Sequence, residues 1–217
     1  MSDAQVHRFT ALSGGAAFVL YVISALLILG VPGVGSTAQA FAQYAAGHST
    51  ALLLEVVVWG LATCATIAFA VGLWVLLRRA EGEPGLLAML FLAAMLLTQT
   101  IVLSGFPELL VLGYRGSVLA PSDVRLLFDL TYLGIALSAF PTALATGTYA
   151  VLVWRTAALP RWTAWLALLV AALHLIGGVS FAASGVVSPS GIGVFLAPPV
   201  FFLWILAVSV MVERTRP

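Results

Sequence analysis

Lysine and asparagine are absent from this chain of 217 residues, and cysteine occurs once, as Cys64. Without lysine there is no Schiff base and no lysine nucleophile. Without asparagine there is no acceptor for N-glycosylation. All nine basic residues are arginine, a bias that fits GC-rich coding. A single cysteine inside an apolar run excludes an intramolecular disulfide and a CxxC redox or zinc motif, and leaves Cys64 as a small packing residue. Charge is equally scarce. Acidic and basic residues make up 8% of the chain, against about 25% in a soluble domain, and a net charge of +1 offers no basic face for nucleic acid.

Apolar residues fill the space left by charge. Hydrophobic residues make up 62% of the chain and its mean hydropathy is +1.14, so a water-soluble fold would expose far more apolar surface than a soluble monomer tolerates. The class implied is an integral membrane protein. Crossing a hydrocarbon core takes about 20 mostly apolar residues in a helix, and six stretches satisfy this: 9–30, 50–77, 85–112, 122–154, 161–184 and 191–212. They lack the period-two alternation of a membrane barrel. The expected fold is therefore an all-α, single-domain bundle of six transmembrane helices over 1–217. The fourth stretch is too long for an upright crossing, so it should tilt, kink at Pro141 or begin outside the bilayer. The first is not read as a signal peptide, because its apolar run is too long and the small-residue site at Ala38 to Ala40 lies too far beyond it.

Arginine placement gives the expected orientation. Arg8, Arg78, Arg79, Arg155, Arg161, Arg214 and Arg216 fall on one face and only Arg115 and Arg125 on the other, so both termini should be cytoplasmic. Trp74, Trp154, Trp162 and Trp165 cluster near the inner boundary as interfacial anchors. The longest outer connection, 31–49, opens on Pro32-Gly33 and offers Ser36 as an N-cap with Gln39 three residues later. It reads as a short interfacial helix with Phe41, Tyr44 and Ala45 on one face. Small residues four apart, such as Ser13 and Ala17 or Gly178 and Ala182, let backbones approach closely within one chain or across a homodimer.

Ionisable groups inside a bilayer are costly and mark functional candidates. Four occur: Glu55, Glu108, Asp129 and His174. By helical rise the three acids lie within ~6 to 9 Å of the outer boundary and His174 roughly 15 Å below it, which suggests one shared cavity. Glu55, Asp129 and His174 are the candidate catalytic residues. Trp59, at i+4 from Glu55, and Tyr132, at i+3 from Asp129, are candidate ligand contacts, with Gln99, Glu108 and Phe181. Structural alternatives accompany each: an interhelical hydrogen bond for Glu55 or His174, Arg125 at i−4 for Asp129, and Arg115 as partner for Glu108, which follows Gly105-Phe106-Pro107. Pro198-Pro199 removes two backbone donors from the sixth span.

The six-span layout, the short outer helix, the Leu159-Pro160-Arg161-Trp162 lead-in to the fifth span and the arginine-bearing tail resemble bacterial families of small membrane proteins with no assigned activity. The resemblance implies a bacterial inner membrane and supplies no catalytic residues. Three functions stay open. One is binding of an apolar or lipid-like ligand, isoprenoids included, from the outer leaflet with acid/base chemistry by the buried carboxyls and the histidine. Another is a proton- or cation-coupled pathway, which the near absence of ionisable groups from the inner halves disfavours. The third is an accessory membrane protein that binds a partner. Membrane lipids are the expected surroundings, and no cofactor or metal is expected.

Overall fold

The structure is a computed structural model that describes residues 2–179 and 192–215. It is all-α, with nine helices and no strand among the described residues. Six candidate spans are long and apolar enough to cross a membrane: Asp3–Leu27, Ser49–Glu81, Leu86–Arg115, Pro121–Thr156, Arg161–Gly178 and Leu196–Arg214. Large apolar side chains such as Leu12, Leu26, Val57, Leu97 and Trp165 face outward, as a hydrocarbon solvent allows and water does not.

The first helix, α1, runs over Asp3–Leu27 and starts six residues before the apolar run, because Ser2 and Gln5 form a reciprocal capping box that satisfies two otherwise orphaned N–H groups. Helix α2 (Ala38–Gly47) buries Phe41, Tyr44 and Ala45, the face expected of it. Its N-cap is Thr37 rather than Ser36: the Thr37 hydroxyl accepts from the amide of Ala40 at 3.2 Å, while the carbonyl of Ser36 is taken by Arg125. The second span is one uninterrupted helix, α3 (Ser49–Glu81).

The third and fourth spans are each broken in two. The former divides at Gly105 into α4 (Leu86–Ser104) and α5 (Phe106–Arg115), with Pro107 in the first turn of α5. The latter divides at Ser138 into α6 (Pro121–Leu137) and α7 (Ala139–Thr156). Pro141 has no N–H for the carbonyl four residues back, so the ladder opens one turn ahead of it. Helices α8 (Arg161–Gly178) and α9 (Ile192–Arg214) complete the bundle, with Pro198 and Pro199 inside α9.

Neighbouring spans pack in the cyclic order α1, α3, α4, α7, α8, α9 and back to α1. Two glycines permit the closest approaches. A Cβ at Gly14 would collide with Ser209 Oγ of α9 and the Phe69 ring of α3, and one at Gly72 would collide with Thr10 of α1. The small-residue packing expected near Ser13 and Ala17 thus centres on Gly14, with Ala17 buried beside it; Ala182 lies outside the described residues.

Two apolar clusters result. The larger one fills the half nearer the termini, around Phe69, Phe91, Tyr149, Trp204 and Ile205. The smaller lies under α2, around Phe41, Leu52, Leu112, Val124 and Phe128. On the terminal face, Glu81 accepts from the amides of Leu87 (3.1 Å) and Ala88 (2.9 Å), placing a negative charge at the positive end of α4. Arg79 pairs with Asp3, and Arg78 with Glu83.

Candidate functional site

Between the two clusters lies a cavity of about 220 Å³, far above the 10–15 Å³ or so that one water molecule occupies. Every span contributes to its wall: Tyr21 and Ala25 from α1, Glu55 and Trp59 from α3, Gln99 and Phe106 from the broken third span, Phe128, Tyr132 and Thr142 from the broken fourth, His174 from α8 and Pro198, Phe201 and Phe202 from α9. Both helix breaks border it, through Phe106 after Gly105 and through Ser138 itself.

Glu55 and His174 are the only acidic or basic side chains buried among the described residues, at 3% and 7% exposure, and both line this cavity. Glu55 sits two turns into α3. Its Oε1 accepts a 2.7 Å hydrogen bond from Ser24 of α1, whereas its buried Oε2 has no partner among the described residues. Buried carboxylate oxygens are rarely left unmet, because each forfeits its hydration without replacement. Tyr44 of α2, close to the Glu55 charge, also buries an unpartnered hydroxyl. Burial, with that charge second, raises the Tyr44 pKa above the ordinary phenol value, so the hydroxyl keeps its proton.

His174 donates Nδ1–H to the Val170 carbonyl, 2.9 Å away. A carbonyl can only accept, so in the neutral ring Nε2 is left with its lone pair free to accept. Phe201 packs edge-on against the imidazole with centroids 5.9 Å apart. The hydroxyls nearby are mostly committed to backbone: Thr142 donates to the Ser138 carbonyl (2.8 Å), Ser138 to Ile135 (2.7 Å) and Thr131 to Leu127 (3.1 Å). Tyr132 donates to the Pro32 carbonyl at 3.2 Å. Gln99, 6% exposed, lines the wall with no hydrogen bond among the described residues.

Four of the expected residues therefore come together with Glu55: Trp59, Gln99, Tyr132 and His174. Asp129 and Glu108 do not. Asp129 follows Phe128 by one residue, about 100° around α6, so while Phe128 faces the cavity Asp129 turns to Arg125 at 3.4 Å. Glu108 lies in the first turn of α5, away from the cavity wall, with Oε2 buried and unpartnered among the described residues; the expected pair with Arg115 does not form. Phe181 lies outside the described residues.

Sequence reasoning missed four contributors. Ser24 is an ordinary small residue until α1 lies against α3 and puts its hydroxyl on Glu55. Tyr21 and Phe202 stack at 4.1 Å across the α1 and α9 junction, a pairing without any local signature. Arg125 was visible only as a neighbour of Asp129. In the fold it also donates to the carbonyls of Val34 (2.7 Å) and Ser36 and stands over the Phe41 ring at 5.6 Å, so it straps α2 and its preceding loop to α6.

No group of three or more potential metal-ligating side chains occurs among the described residues. No family model, curated protein or solved structure matches this chain.

Proposed function

We propose that this multi-pass membrane protein binds an apolar, lipid-like small molecule in the cavity, and that Glu55 and His174 exchange a proton with it. What supports this reading is one conjunction: an apolar recess walled by all six spans holds the two buried acid/base side chains. Ligand sites of this kind combine an apolar wall with a few polar groups that fix orientation. A carboxyl group and an imidazole nitrogen that can each take up or release a proton are the working parts of acid/base catalysis, suited to isomerisation or cyclisation of a ligand built largely of hydrocarbon. Asp129, held by Arg125, serves the cover of the site instead.

We place the protein in a bacterial inner membrane with both termini cytoplasmic, from the arginines gathered on the terminal face. The cavity then lies toward the outer leaflet.

Transport is the second reading. Breaks at Gly105 and Ser138 border the cavity, and discontinuous helices form substrate sites in transporters. Against it stands the larger apolar cluster, which fills the terminal half around Phe69, Tyr149 and Trp204, where no acidic or basic side chain is buried among the described residues.

Native mass spectrometry of the protein released from its membrane tests the proposal. The wild type should carry a small, mainly hydrocarbon adduct with a polar group that meets Glu55, and Glu55→Gln should lose it at least fivefold in occupancy. Retention of ordinary phospholipid alone by both proteins would overturn it.

A further inference from the structure

Resting on the cavity reading above, we infer that the ligand carries a positively charged organic nitrogen, an amine or quaternary ammonium, seated against Glu55 and the aromatic rings around it. The carboxylate oxygen Oε2 is buried and unpartnered among the described residues, on a side chain only 3% exposed. It therefore requires a donor or a cation that the described residues do not supply.

Beside it stands an aromatic group rather than a polar one. Trp59 shares the Glu55 face of α3 one turn along. Its ring meets Tyr21 edge-on at 5.8 Å, Phe106 at 6.2 Å and Phe202 at 6.2 Å, and Tyr21 stacks on Phe202 at 4.1 Å. Aromatic faces attract cations through the ring quadrupole, and cages of such rings recognise quaternary ammonium groups. No arginine lines the cavity among the described residues, so none of them offsets the negative field of the acid.

The competing ligand chemistries fit less well. An anion would meet the Glu55 carboxylate with no arginine in the wall among the described residues. A purely hydrocarbon ligand would leave Oε2 unmet. A bare metal ion wants several oxygen ligands, yet Glu55 is the one carboxylate in the described wall and no cluster of metal-ligating side chains occurs among the described residues.

Phenyltrimethylammonium and tert-butylbenzene have nearly the same shape and differ by one charge, which makes them the decisive pair. Their binding would be measured by calorimetry on the full-length protein in zwitterionic nanodiscs, with empty nanodiscs as the blank. The cation should bind at least tenfold tighter than its neutral isostere. Glu55→Gln should reduce that ratio to about one while leaving tert-butylbenzene binding intact, which also reports that the variant is folded. Trp59→Leu should weaken the cation at least threefold more than the isostere. Equal binding of the two probes by the wild type, or a preference that survives Glu55→Gln, would overturn the cationic ligand and leave the apolar cavity standing. Failure of both probes to bind would remove the cavity reading with it.

Discussion

Glu55 carries the cost of a buried acid and, in the proposed site, the contact with the ligand. Its carboxylate keeps one hydrogen bond, from Ser24, and leaves the other oxygen without protein compensation. Removing a hydrogen-bond donor from a buried group costs about 1–3 kcal/mol because the orphaned partner keeps its desolvation penalty. Ser24→Ala should therefore lower the thermal midpoint in detergent. Glu55→Gln should not, since an amide can still accept from Ser24 and no charge is left to bury. If the two substitutions depress the midpoint equally, Glu55 is a structural bonding partner and its free oxygen carries no functional meaning. The same pair of variants separates roles, because Ser24→Ala is expected to retain ligand preference and Glu55→Gln to lose it.

Among the elements, the polar ties between the cover and α6 come from Arg125 and Tyr132. Arg125 joins α6 to the loop before α2 through the carbonyls of Val34 and Ser36 and lies on Phe41. Charged donors to backbone carbonyls are worth about 1.5–3 kcal/mol each, whereas the 3.4 Å pair with Asp129, about one third exposed, contributes at most about 1 kcal/mol. Arg125→Leu should raise amide hydrogen exchange across residues 31–47 by at least tenfold. Asp129→Asn should change it less than threefold and leave ligand binding intact. A large effect from Asp129→Asn would place that carboxylate in the site after all. The breaks at Gly105 and Ser138 belong to this scale too: α6 packs against both α2 and α5, and Phe106 and Ser138 at the two breaks border the cavity.

For the whole molecule, the division into a recessed half and a packed half predicts one-sided access. In a Cys64→Ser background, Gln99→Cys should react with a small membrane-impermeant thiol reagent applied from the α2 side. Thr146→Cys, at a fully buried position in α7, should stay unmodified from either side. Reaction of both positions from both sides would indicate a continuous path and favour transport.

Much of this architecture could be read before any coordinates. Six apolar stretches dictate six crossings because backbone polar groups in lipid must be satisfied within helices, and the alternation of short connections fixes which ends share a face. Glu55, Trp59, Gln99, Tyr132 and His174 were legible as site candidates because polar or amphipathic groups are expensive at those depths. Asp129 looked equivalent by the same criterion and is not, since depth along a helix says nothing about azimuth. One residue of offset from Phe128 turns it from the cavity to Arg125. Ser24 and Tyr21 were illegible for the converse reason, each being unremarkable on its own helix.

Composition and hydropathy alone settled the class, the crossings and the cost of each buried charge, because these depend on transfer from water and are local to a segment. The tertiary structure decided which of those costly groups meet, because rotation about a helix axis is set by packing, such as the contact of Gly14 with Ser209 and Phe69, and by the interruptions at Gly105 and Ser138 in their spans.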